Sequence, residues 1–241
     1  AFAAYRKSSL AQLPATEVRI GKGEIPLAVR CDNSWDLEMI PSDLSDFNLY
    51  GGLYRPVHLV YLPAGGLMRV HATPEQEADG TWRLDVSARF AAGTANATTQ
   101  DVSVQITGPT GETVADKTLR LVPSGEMQQL ALVTISQPKL WSPASPALYG
   151  VRVTAVGPGG TSQIVERCGL RTFEFVDYGP FKLNGQRLVL HGTHRHEDHA
   201  GVAAAMTQPA MEAEMRLMKT MGVNFIRLGH YQQSRRILER C

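Results

Sequence analysis

The stretch from Leu183 to Tyr231 limits the possible fold more than any other part of this chain. It reads LNGQRLVLHGTHRHEDHAG, continues through a segment ending in LMKTMG, and closes on VNFIRLGHY. The Val- and Leu-rich run at 187–192 predicts a β-strand entering a loop that carries His191, His194, His196 and His199. Thr207 is a good N-cap, with Pro209 in the first turn. Met211, Met215, Met218 and Met221, with Leu217, form one apolar helical stripe, and Gly222 stands where a C′ glycine belongs. That stripe reads as core rather than as a cofactor site. A second strand is predicted at 223–228; it delivers Arg227 and His230 to its C-terminal end. Strand, loop, helix, strand is the βαβ unit of a parallel sheet, and such sheets place their chemistry just past the C-terminal strand ends. Ser234 is placed to cap a further helix.

Upstream the hydrophobic period is two. Trp82, Leu84, Val86, Ala88 and Phe90 alternate with Arg83, Asp85, Ser87 and Arg89. Alternation of this kind buries one face of a strand and leaves the other wet. Val102, Val104 and Ile106 repeat it, as do Val151, Val153 and Ala155, and Leu130–Ile135 is a further apolar run. Gly-Pro-Thr-Gly at 108–111 and Gly-Pro-Gly-Gly at 157–160 supply turns. Several short strands within about 100 residues predict an immunoglobulin-like sandwich. Residues 1–62 are short apolar runs broken by Pro26, Pro41 and Pro56, which argue against helix; IPLAVRCDNSW is expected to contain one strand and LYRPVHLVYL at 53–62 to form another, as the end of a β-domain. The expected division is therefore 1–62, the C-terminal part of one β-domain; 63–173, the sandwich; and 174–241, the start of an α/β domain.

Composition adds exclusions. The chain is 43% hydrophobic and 20% charged with a formal net charge of +1, which gives no electrostatic footing for nucleic acid or an anionic membrane. No apolar run approaches a membrane span. Cys31, Cys168 and Cys241 are far apart and odd in number, against both a disulfide framework and a CxxC metal site. The opening AFAAYRKSSL reads as mid-protein, so it carries no information about a leader or a compartment, cytoplasmic or periplasmic.

Four segments together resemble glycoside hydrolase family 2, the group of β-galactosidases, β-glucuronidases and β-mannosidases. Gly51-Gly52-Leu53-Tyr54-Arg55-Pro56-Val57 is similar to the signature closing the family's sugar-binding-like jelly roll. Leu140-Trp141-Ser142-Pro143, with Pro146 and Leu148-Tyr149, resembles its sandwich motif. Cys168-Gly169-Leu170-Arg171-Thr172 resembles the entry to its barrel. Leu183-Asn184-Gly185 through His199, followed by Asn224–Arg227 and Gly229-His230-Tyr231, resembles its first two barrel strands. Thr193, where the family usually has Asn, Gly229, where it often has Ser, and Gln232, where it usually has Pro, depart from the pattern. The fold class this implies is multidomain β plus α/β: a partial jelly roll, an immunoglobulin-like β-sandwich and a truncated (β/α)8 TIM barrel.

The resemblance implies a retaining exo-β-glycosidase of carbohydrate metabolism acting on a β-linked oligosaccharide or glycoside, β-galactoside ahead of β-glucuronide and β-mannoside. Such an enzyme needs two carboxyl groups about 5–5.5 Å apart. In the family they follow barrel strands four and seven. No catalytic residue is therefore expected in this chain; the acid/base and nucleophile are expected beyond residue 241, and the chain by itself is expected to be inactive. His196 and His230 are the expected substrate-binding residues, at the sugar-binding end of the barrel, where a neutral imidazole offers a donor and an acceptor to a diol. Asp46, just before the GGLYR signature, is a third: in some members an Asp here reaches the sugar pocket, although a turn-capping role fits equally. Arg227 is expected beneath the site, orienting carboxylates, with Glu197 also in support. Glu197 and Asp198 do not read as a catalytic pair, because neighbours in an extended chain point apart. No cofactor is expected in the chain, although a divalent cation and a homo-oligomer are compatible with the full-length family pattern.

Two rivals exist. His194-Arg195-His196 is an HxH at a strand end, resembling the metal pair of amidohydrolase-like barrels, since alternate residues of a strand face one way. Two ligands are too few and GGLYRPV does not fit that group, so no metal ligand is assigned. A non-enzymatic carbohydrate-binding β-protein leaves the βαβ stretch without a role.

Overall fold

The computed structural model describes residues 31, 47–48, 50–58, 60–91 and 98–241. The chain divides into two compact units, one of residues 59–189 and one of residues 1–58 with 190–241. Asp46 and the strands expected before it lie outside the described residues.

The first unit is a sandwich. Strands β1 (Leu67–Gln76), β2 (Trp82–Phe90) and β5 (Met127–Ile135) form a three-stranded sheet in the order β1-β2-β5. Strands β3 (Gln100–Thr107), β4 (Thr113–Leu121), β6 (Tyr149–Gly157) and β7 (Gly160–Cys168) form a four-stranded sheet in the order β4-β3-β6-β7. Every pairing is antiparallel. The alternation read in the sequence is the buried face: Leu84, Val86, Ala88, Phe90, Val102, Ile106, Val151, Val153 and Ala155 are all fully buried. Val104 and Trp82 are nearly so. β1 carries Pro74, which donates no ladder bond; the strand tolerates it at the edge of its sheet. No strand forms among the described residues of 53–62, where one was expected. Pro56 interrupts the run, and Leu53, Val57, Val60 and Tyr61 are all exposed.

A small sheet follows, of β8 (Phe173–Phe175), β9 (Phe181–Leu183) and β10 (Gln186–Arg187). Asn184 and Gly185 make its tight hairpin with φ of 51° and 75°, the paired positive values that a two-residue turn requires and Asn-Gly tolerates best. Asn184 also stitches the motifs together. Its Oδ1 accepts from the Thr172 N–H at 3.0 Å and its Nδ2 donates to the Trp141 carbonyl at 3.0 Å. Arg171 lies 4.4 Å over the Trp141 ring, within cation–π range.

Gly169 shows why the CGLRT segment carries a glycine. A Cβ there would stand 2.9 Å from the Trp141 Cβ and 3.0 Å from its Cγ. Gly169→Ala is expected to destabilise the sandwich by about 1–3 kcal/mol through overpacking. Urea denaturation of the sandwich transition, with unchanged slope, measures it. Cys168, partly buried beside this contact, has its thiol pushed up to about 11 by burial. It is expected to resist alkylation at pH 8 while exposed Cys31 reacts, and to become reactive on denaturation; a thiol count before and after unfolding checks this.

In the other unit, β11 (Gly192–Arg195) and β12 (Phe225–Leu228) pair in parallel, joined through helix α1 (Gln208–Thr220). The Thr207 hydroxyl caps α1 by accepting from the Ala210 N–H, and Gly222, with φ of 79°, follows its C-cap. Met211 is buried with Met206 and Ile237, and Met215 packs against them, whereas Leu217 and Met221 stay exposed. Ser234 caps the single-turn helix α2 (Arg235–Leu238). This is the βαβ unit expected from the sequence, so the described residues comprise a β-sandwich and one parallel strand–helix–strand unit. The first barrel strand begins later than expected. The Asn224 side chain accepts from the His191 N–H at 2.8 Å, and pairing starts only at Gly192.

Candidate active site

Parallel pairing sets His194 directly opposite Arg227. Period two then puts His196 on the His194 side and Arg195 on the other. The rings of His194 and His196 lie 5.0 Å apart and nearly parallel, at 7°. His230, just past β12, stands edge-on to both, at 5.2 and 5.3 Å. One ring nitrogen from each of the three lies within 4.8 Å of the other two. His196 and His230 are thus brought together at the C-terminal end of the strand pair, and His194 joins them.

Arg227 holds this cluster. Its Nη2 lies 3.0 Å from His230 Nδ1, and its Nη1 lies 3.0 and 3.2 Å from His194 Nδ1 and Nε2. A guanidinium only donates, so His230 Nδ1 must accept; the His230 proton then sits on Nε2 and that nitrogen is a donor. Gly229 is buried between them. A Cβ at this position would fall 2.2 Å from His194 Nε2, so the glycine makes room for the imidazole. The Phe47 ring closes another side, 5.3 Å from His196, 5.6 Å from His230 and 5.4 Å from Tyr231.

The opposite face of β11 is structural. Arg195, 5% exposed, donates from Nε and Nη2 to Glu214 Oε2 on α1 at 3.0 and 2.8 Å, and from Nη1 to Gln233. Gln233 returns a bond from Nε2 to the Arg195 carbonyl at 2.7 Å. Strand, helix and the loop after β12 are locked together by two buried side chains.

Glu197 has its own set of partners. It is 1% exposed, and its Oε2 accepts from Arg55 Nη2 at 2.6 Å and from the Ser234 N–H at 2.7 Å. Its own N–H donates to the Tyr231 hydroxyl at 2.9 Å. Burial pushes the Tyr231 phenol above its ordinary value, the Glu197 N–H pulls it back in part, and Asp198 and Glu197 raise it further. The phenol therefore stays protonated, with its O–H able to donate. Asp198 accepts from the Tyr50 hydroxyl at 3.4 Å, so the two adjacent carboxylates are held by different partners. Sequence reasoning missed Phe47, Arg55, Arg195 and Gln233. For the first two, only the neighbourhood of Asp46 and the GGLYR signature pointed here; for the last two, nothing local did.

Comparison with known proteins adds to this geometry. The family model described as "Glycosyl hydrolases family 2" matches residues 67–171, and "Glycosyl hydrolases family 2, TIM barrel domain" matches residues 175–241. The crystal structure of a β-glucuronidase from Parabacteroides merdae is 50% identical, with a TM-score of 0.83 over 88% of this chain and 26% of that one. A β-glucuronidase of Bacteroides fragilis is 33% identical over 223 residues, 86% of this chain and 31% of its own length. A β-galactosidase of Thermoanaerobacter pseudethanolicus is 25% identical over 230 residues, 93% of this chain and 30% of its own length. The chain spans about a third or less of the curated relatives it matches.

Proposed function

From a chain that belongs to glycosyl hydrolases family 2, we propose a full-length protein that is a retaining exo-β-glycosidase cleaving terminal β-glucuronides. The observation that carries the substrate is the 50% identity over 88% of the chain to the Parabacteroides merdae β-glucuronidase. This revises the β-galactoside preference expected from the sequence, since relatives named β-galactosidases match at 25–31% identity. The domain division 1–62, 63–173 and 174–241 belongs to the same reading.

In this reading the chain contributes one wall of the sugar site. His230 donates from Nε2 to a sugar hydroxyl, His196 makes a second contact, and Asp46 reaches in from the preceding segment. Arg227 is the positioning residue that holds His230 in that tautomer. Double displacement needs an acid/base and a nucleophile about 5–5.5 Å apart. The family resemblance puts both carboxyls after later barrel strands, so we assign them to the remainder of the full-length protein; Glu197, held by Arg55 and Ser234, and Asp198, facing Tyr50, have other partners. Nitrophenyl β-glucuronide, β-galactoside and β-mannoside assayed with that protein test the reading. The expected order of kcat/KM puts the glucuronide first. A galactoside preference overturns the substrate, and no turnover of any β-glycoside overturns the class.

A further inference from the structure

We infer that His194, His196 and His230 form a site for a zinc-class divalent ion, one that competes with the Arg227 guanidinium for the cluster. The positive Arg227 guanidinium already lies against two of the three imidazoles, with Nη2 on His230 Nδ1 and Nη1 against both ring nitrogens of His194. His196 brings a third, and its Nδ1 is buried without a hydrogen-bond partner among the described residues. The ligand nitrogens lie within 4.8 Å of one another. Tetrahedral zinc, with Zn–N of about 2.0–2.1 Å, needs them about 3.3–3.4 Å apart. Closing that gap takes ring rotations, and His194 and His230 are both exposed enough to make them. Arg227 is exposed too, so it can swing into water as the ion enters. Three neutral imidazoles and no carboxylate select Zn²⁺, Ni²⁺, Cu²⁺ or Co²⁺ over Mg²⁺ and Ca²⁺. The fourth position is left to water.

Binding rests on this geometry alone. Its consequence, inhibition, rests on the reading of His196 and His230 as sugar contacts: the ring rotations that bring their nitrogens to the ion carry His196 and the His230 Nε2 donor away from the sugar hydroxyls.

The test uses tag-free full-length protein stripped with a chelator. Co²⁺ is titrated in and followed by the visible absorption of a four-coordinate ion, then displaced with Zn²⁺. One ion per chain is expected. His194→Ala and His196→Ala are each expected to weaken binding about tenfold or more, about 1.4 kcal/mol. Gly229→Ala, which pushes the His194 ring outward, is expected to do the same with all three ligands intact. Arg227→Ala is expected to bind more tightly, and His71→Ala on the sandwich is expected to bind as wild type. Thermal melts establish that each variant is folded. Absence of the four-coordinate spectrum overturns the inference, as does affinity undiminished in His194→Ala and Gly229→Ala. Unaltered or weaker binding in Arg227→Ala overturns the exchange with the guanidinium. If Co²⁺ and Zn²⁺ bind as expected but leave glycoside turnover untouched, the ion site stands and the sugar-contact reading falls.

Discussion

Arg55→Ala is expected to cost about 3 kcal/mol, the low end of the range for breaking a buried ion pair. Glu197 is 1% exposed and Arg55 30%, so the truncation strands a carboxylate that water reaches poorly. The low end applies because the arginine is itself partly wet. The remaining Ser234 N–H cannot neutralise that charge. Glu197→Gln is expected to cost less, about 1–2 kcal/mol, because a neutral amide can still accept from Ser234 and the partly exposed guanidinium keeps its bond to the Gln232 carbonyl. The double variant should therefore be more stable than Arg55→Ala alone, and the cycle isolates the pair. A multidomain protein gives no single unfolding midpoint, so the measurement is local. Amide exchange at Ser234 and across α2 should accelerate sharply in Arg55→Ala, while β2 and β3 of the sandwich keep their protection. Equal exchange at Ser234 in wild type and Arg55→Ala would show that the pair holds nothing in place.

That pair joins residues 142 apart in sequence, and this separation explains what the sequence could reveal. Features written in a short period were legible. The alternation from Trp82 to Phe90 is the buried face of β2, and His194 and His196 share a face of β11 as period two requires. Caps were legible for the same reason: Thr207 and Ser234 each bond an amide two or three residues on. Apolar runs without a period misled. Val189-Leu190 suggested a strand, but pairing is decided by where the partner lies, and Asn224 takes the His191 amide before the ladder begins. Pro56 and the wet side chains around it undid the strand expected at 53–62. The methionine stripe was read as one face, yet only its first two residues pack within the described core. Arg227 was placed beneath the site by spacing, but its bonds to two imidazoles follow from a parallel register that no local signal sets.

His230→Ala is expected to lower kcat/KM of the full-length protein by about 10- to 100-fold, as a site built to hydrogen-bond a hydroxyl loses about 1–3 kcal/mol when one partner goes. Two losses combine. The Nε2 donor to the sugar disappears, and Arg227 Nη2 loses its acceptor, Nδ1. Arg227→Met separates them, since it keeps the imidazole but frees its tautomer, and it is expected to cost less than His230→Ala. A donor role has a signature that a merely structural histidine lacks. Against a substrate deoxygenated at the hydroxyl His230 serves, wild type and His230→Ala should differ little, because the contact is already missing. A structural defect would penalise both substrates alike. Kinetics on the parent glycoside and its series of monodeoxy analogues therefore decide the matter. A uniform loss across the series, in a variant whose melt matches wild type, would move His230 out of the sugar site and leave Arg227 as a purely structural cation.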